Sequence, residues 1–174
     1  CGDGVRFRGS RTVNAGPPRR GSPIFVLAER EEDEIGAGSL ELMGRARVLA
    51  DALGVHAVAL LCGPPPSAAI AKALGAHGAT RVLAVGRPET DSSAVTHHVN
   101  AALLAAAALA HRPRAILIPA SLEGRTVSAL AAAMLGAGLT ADCTGLELEG
   151  REDVTTGEAN TTGPSRGAPA SGTG

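Results

Sequence analysis

Short apolar runs alternate with amphipathic stretches from residue 22 to residue 150, and the alternation has a regular beat. Pro23-Ile24-Phe25-Val26-Leu27-Ala28 predicts a buried strand. After it, Leu42, Ala46, Leu49, Ala50 and Leu53 recur at helical spacing. That pattern predicts a helix capped by Ser39, with Glu41 in its first turn facing the positive end of the dipole and Gly54 as its stop. Residues 55–61 form a second apolar run. Pro64, Pro65 and Pro66 break the chain, and residues 67–74 make a short helix. Residues 80–85 predict a third strand, 93–111 the longest helix, and 115–118 a fourth strand behind Pro113. A helix over 124–135 follows, then an extended stretch over 139–148 with a two-residue period near its end.

Strand and helix thus alternate four times. The strands are continuous apolar runs, as strands covered on both faces should be. Right-handed crossovers between them give an α/β, doubly wound, mostly parallel sheet with helices on both faces, a Rossmann-like or adenine-nucleotide-hydrolase-like layer architecture. In that architecture a site forms at the carboxyl ends of the strands.

Composition sets the limits of this domain. Of 174 residues, 44% are hydrophobic but only 1% aromatic, so the core is built from Ala, Val, Leu and Ile. The flanks differ from the middle. Residues 1–21 are rich in Gly, Arg and Pro, and residues 151–174 hold no Leu, Ile, Val, Met or Phe after Val154. Both flanks lack the apolar area that would offset ordering entropy and are expected to be disordered. The folded unit is expected over residues 22–150. The formal net charge of -1 gives no field for nucleic acid or acidic lipid. No apolar run reaches the length of a membrane span, so no membrane insertion is expected. Arg far outnumbers Lys, with Lys72 the one Lys, which suits a GC-rich bacterial gene; no secretory segment is visible, and bacterial cytoplasm is the expected location. The sequence starts without Met and reads as a piece of a longer product.

Candidate chemistry is sparse. Ser121, Gly124 and Arg125 follow the fourth strand, where a serine, a glycine and a helix start could offer N–H groups to an anion. The plainer reading makes Ser121 a cap, Gly124 a tight turn and Arg125 a solvated charge. Gly36-Ala37-Gly38-Ser39 is no dinucleotide fingerprint and lies beside acidic residues, and no P-loop is present. His97 and His98 are adjacent on a helix, so they point about 100° apart and do not chelate one ion together. Cys1, Cys62 and Cys143 are far apart, without metal or disulfide spacing. Asp142 beside Cys143 raises rather than lowers a thiol pKa. No catalytic site and no metal site is expected.

Several pieces then resemble one family. Phe25-Val26-Leu27-Ala28-Glu29 resembles the opening strand of electron-transfer flavoprotein alpha subunits. The run from Ser39-Leu40-Glu41-Leu42-Met43-Gly44-Arg45-Ala46 to Asp51 is similar to their first helix. Gly75-Ala76 before Arg81-Val82-Leu83-Ala84-Val85, and Arg112-Pro113 before Ile116-Leu117-Ile118, follow in order. Gly136-Ala137-Gly138-Leu139-Thr140-Ala141-Asp142-Cys143-Thr144 is similar to the signature after the next helix. The resemblance covers about residues 23–148. It departs at Thr126, where the family has Asp, at Ala129 and Leu130, where it has Pro and Arg, and at Met134, where another Arg is common. After Glu149 the family runs on into a flavin domain, whereas Arg151 here begins a low-complexity tail.

The resemblance implies a scaffold domain, not an enzyme, in a heterodimeric carrier that moves electrons from flavin dehydrogenases to an acceptor. Its partner is the beta subunit. FAD belongs to the second domain of the complete alpha subunit, and this chain alone is expected to bind none. Two other classes are weighed against it. A free-standing adenine-nucleotide-binding domain of the stress-protein type shares the rhythm but wants a glycine-rich loop where Glu123 stands. A hydrolase or transferase using Ser121 or Cys143 lacks a His partner. Limited proteolysis should trim both flanks to a stable core of about residues 22–150; a protected tail through Thr161 would contradict this domain division.

Overall fold

The computed structural model describes residues 21–31, 33–86, 93–141, 143 and 146. The flanks before Gly21 and after Leu146, with the expectations attached to them, lie outside the described residues. β1 (Ile24–Leu27) opens the domain, and a short antiparallel hairpin follows, β2 (Arg30–Glu31) and β3 (Glu34–Ile35). The chain then runs α1 (Ala37–Leu53), β4 (Ala57–Cys62), α2 (Ala68–Ala76), β5 (Arg81–Val85), α3 (Ser93–His111), β6 (Ala115–Leu117) and α4 (Leu122–Leu135). The main sheet has the order β5-β4-β1-β6, and each pairing in it is parallel. From β1 the chain steps outward to β4 and β5, then returns to β6 on the other side. The strand order therefore reverses between β1 and β6.

β1 explains why both faces are covered. Alternate side chains of a strand point to opposite faces. Ile24 and Val26 join Met43, Ala46 and Ala50 of α1 in one core. Phe25 and Leu27 join Ala101 and Leu104 of α3 and Val127 and Ala131 of α4 in the other. Register is tight, with Ile24 opposite both Ala57 and Ala115. Among the described residues Phe25 is the one Phe, Tyr or Trp of the core, and it meets the His111 ring at a centroid distance of 5.8 Å. The doubly wound, mostly parallel sheet expected from the pattern is the fold observed.

Local details depart from expectation in instructive ways. α1 starts two residues earlier than Ser39, with Gly36 at its N-cap and no side-chain cap. Ser39 lies in the first turn, 1% exposed, and its hydroxyl accepts the Glu29 N–H at 2.9 Å. Glu41 accordingly lies beyond the first turn, which holds no acidic residue. Gly54 ends the helix as expected, in the left-handed region at φ 63°. The hairpin over residues 30–35 was hidden in what reads as an acidic run. β5 is not buried on both faces: Arg81 and Ala84 are exposed and Val82, Leu83 and Val85 half-buried, because β5 is an edge strand. The stretch expected to be extended over 139–148 is described only at residues 139–141, 143 and 146, which belong to no strand. Arg112, just past α3, takes a left-handed φ of 49° and donates its N–H to Ala108 O, so it closes that helix where glycine is commoner.

Ser39 offers a clean test of this arrangement. Alanine is the better helix former by about 0.5 kcal/mol. Replacing a buried acceptor, however, orphans the Glu29 N–H at a cost of about 1–3 kcal/mol. Ser39→Ala should therefore destabilise the domain, measured as a lower urea midpoint with an unchanged slope.

Candidate functional site

The order reversal between β1 and β6 is where domains of this topology place ligands, outside the carboxyl ends of the strands. Glu29 stands there, two residues beyond β1. Its N–H goes to Ser39 Oγ, and its carbonyl accepts the Gly36 N–H at 3.0 Å. Its side chain crosses to the head of α4, where Ser121 Oγ donates to Glu29 Oε1 at 2.7 Å. Ser121 is also the N-cap of α4 and accepts the Gly124 N–H at 2.8 Å.

Gly124 is required by space. A Cβ at that position would lie 2.0 Å from Pro119 O, 3.0 Å from Glu29 Oε1 and 3.1 Å from Ile118 Cγ2. The first turn of α4 is therefore pressed onto the loop after β6. It is a helix position in close approach, not the tight turn that the sequence suggests. Behind it, Asn100 of α3, itself 5% exposed, donates from Nδ2 to Glu123 Oε1 at 2.6 Å. Two glutamates thus meet at one sheet end. Burial pushes the Glu29 carboxyl above the usual carboxylate range; the Ser121 hydrogen bond opposes that, Glu123 and Glu31 add to it, and the Gly124 N–H opposes it again.

Ser121, Gly124 and Arg125, singled out from the sequence, do come together here. Ser121 is a cap, in line with the plainer reading. Arg125 is exposed, with its Nε turned back to Ala120 O at 3.3 Å. The other candidates lie apart. Cys62 is half-buried with its Sγ near Asn100 O, and Cys143 is exposed with its Sγ near Thr140 O; Cys1 lies outside the described residues. His97 is half-buried and His98 exposed on α3. Among the described residues no group of three or more His, Cys, Asp or Glu is placed to hold a metal ion. No described helix is long and apolar enough to cross a membrane. The sequence pattern assigned no site role to Glu29 or Asn100, took Ser39 for a helix cap and weighed Glu123 only against a phosphate loop. Its one available signal was an acid closing the apolar run of the first strand.

A cleft of about 370 Å³ lies along the outer edge of β6, between Leu42 of α1, Ile118, Arg125 and Ser128 of α4, and Leu139 and Leu146. Its walls are mostly apolar, and it is at the small end of ligand clefts.

The raised Glu29 carboxyl has a consequence for stability. A group that binds its proton more tightly when folded makes the folded state hold more protons than the unfolded one. Stability then falls as pH rises from the ordinary glutamate value through the folded value. Glu29→Gln should flatten that decline, so the difference between wild-type and variant urea midpoints should change sign or size across this window. A difference independent of pH there would contradict it.

Comparison with known proteins points one way. The electron transfer flavoprotein domain family matches residues 24–162, running past the point where the residue-by-residue resemblance stops. The chain is 35% identical over 136 residues to Protein FixB of Rhizobium meliloti (strain 1021), which covers 72% of this chain and 36% of that protein. It is 33% identical over 129 residues to the electron transfer flavoprotein subunit alpha of Clostridium acetobutylicum, covering 72% of this chain and 37% of that protein. It is 36% identical over 126 residues to the acryloyl-CoA reductase electron transfer subunit beta of Anaerotignum propionicum, covering 72% and 34% respectively. The chain thus spans little more than a third of the length of these relatives. With its parallel sheet, its helices on both faces and most of its length matched, the chain belongs to the electron transfer flavoprotein domain family, as an N-terminal domain of the alpha-subunit type.

Proposed function

We propose that this chain is the scaffold domain of an electron-transfer flavoprotein alpha subunit, one part of a heterodimeric flavin carrier between dehydrogenases and an acceptor. Its role is to hold partners, not to perform chemistry. The folded unit extends over residues 22–150. The observation that carries this reading is surface left uncovered on a well-packed domain. Leu122 at the head of α4 is 84% exposed, Val48 of α1 67% and Leu139 51%, and β5 leaves Val82, Leu83 and Val85 only half-covered. Uncovered apolar side chains on α1, on α4 and on the edge strand β5 are surface that partner subunits can cover. The polar groups of the strand ends, by contrast, are spent on one another. Ser121 Oγ donates to the Glu29 carboxylate and accepts the Gly124 N–H, so its hydroxyl is engaged in both directions within the fold.

The partner is the beta subunit, and the flavin lies with the second domain of the complete alpha subunit, in the bacterial cytoplasm. Dehydrogenases and the acceptor are reached through the complex. The free-standing nucleotide-binding reading shares the strand and helix rhythm, but two carboxylates stand where it needs hydrogen-bond donors to phosphate.

Adding a cognate beta subunit should raise the melting temperature of the chain with concentration, as binding to the folded state alone requires. Mixed with excess FAD and passed through gel filtration, the chain should emerge without a stoichiometric flavin absorption band. A sharply melting monomer indifferent to any beta subunit would overturn the scaffold reading. A retained flavin band would move the cofactor site into this domain.

A further inference from the structure

A phosphate-bearing cofactor has one natural seat in a sheet of this order. It lies at the reversal between β1 and β6, with the phosphate on the N–H groups that open the following helix. FAD, the cofactor of the family, would place its pyrophosphate there if this domain were to hold it. The residues present do not fit. We infer that Glu29 is a built-in anion: its carboxylate takes the place at the head of α4 that a nucleotide phosphate would need, and it shuts this crevice to nucleotides. The inference goes beyond the scaffold reading and stands on geometry that does not depend on any partner.

Four features support it. The donors that would greet a phosphate are already engaged: the Ser121 hydroxyl donates to Glu29 and the Gly124 N–H to Ser121 Oγ. The space directly at Gly124 is filled, since a Cβ there would meet Glu29 Oε1 at 3.0 Å and Pro119 O at 2.0 Å. A second carboxylate, Glu123, is fixed beside the first by Asn100, so an incoming phosphate meets like charge. The two nearby cations are turned to backbone carbonyls. Arg30 donates to Pro64 O at the β4 end, and the Arg125 Nε to Ala120 O. A carboxylate at a helix start meets the same dipole and the same donors that a phosphate would. Glu29 is a positioning residue: it ties β1 to α4 across 92 residues of sequence.

The test compares the full chain with its Glu29→Ala variant by thermal melting, with inorganic phosphate, ATP and FAD as probes. Hydrogen exchange at the Gly124 amide is the second readout. Wild-type melting should not move with any probe at about 10 mM. The variant should melt about 5 °C lower, lose protection at Gly124, and regain at least half of the lost melting temperature with phosphate. Wild type stabilised by phosphate, ATP or FAD as much as the variant would overturn the inference. So would a variant with unchanged melting and no response to phosphate. Should Glu29→Ala fail to fold, the amide resonance of Gly124 in the wild-type chain decides. Movement with the titration of Glu29 but not with phosphate supports the built-in anion; saturable movement with phosphate or ATP overturns it.

Discussion

A central strand of a parallel sheet is bonded on both sides until it ends, and then its next peptide groups need partners quickly. β1 meets this constraint at Glu29. The Ala28 N–H still reaches Leu60 O of β4 at 2.9 Å. One residue on, the ladder has stopped, and Glu29 turns its N–H to Ser39 Oγ and its carbonyl to the Gly36 N–H. An unpaired buried backbone group costs as much as a lost hydrogen bond or more. The entry of the chain into α1 is therefore fixed by the end of β1. The side chain of the same residue then reaches the cap of α4. One residue thus joins the central strand, α1 and α4.

Small side chains make those ties possible. α3 and α4 pack against each other and against β1 and β4 through Ala101, Leu104, Ala107, Val127 and Ala131. Alanine lets helices approach closely but removes little area from water, at about 25 cal/mol per Å² of apolar surface. Each helix then contributes less than a leucine-rich one would. Close approach also forbids extra atoms: where Gly124 meets Pro119 O, one methyl group would demand a backbone shift. A domain with a thin hydrophobic margin depends more on its polar ties, and on anything that covers its exposed leucines.

How far the fold was legible follows from the range of the forces. Strands and helices came from local periodicity, and α3 begins and ends at the expected residues. Ser121 as a cap and Gly54 as a stop are local chemistry too. Ser39 misled because serine before an apolar run is a cap signal, yet here the acceptor it supplies serves a residue ten positions back. The β2–β3 hairpin escaped notice because Glu31, Asp33 and Glu34 carry no apolar alternation. β5 reads as a buried run but is an edge, and edge or centre is a property of strand order, not of the run. The site was the least legible part. Glu29 and Ser121 are 92 residues apart, and Asn100 and Glu123 are 23 apart. Nothing in the neighbourhood of any one of them announces the others.

The departures of α4 from its relatives take on a physical meaning in this setting. Thr126 bonds its hydroxyl to Leu122 O one turn back, and Ser128 bonds Arg125 O. Side chains that return to their own helix backbone are not presented to a neighbour. Ala129, Ala133 and Met134 leave the rest of the outer face without charge. What α4 holds outward at its head is Leu122 and Arg125, an exposed apolar side chain and a cation side by side. Leu122 follows the Ser121 cap, and Arg125 follows the glycine that the close approach requires. The tie between Glu29 and Ser121 is thus also what fixes the direction in which these two side chains face, so a loosened Glu29 would be felt at the contact surface as well as in the core.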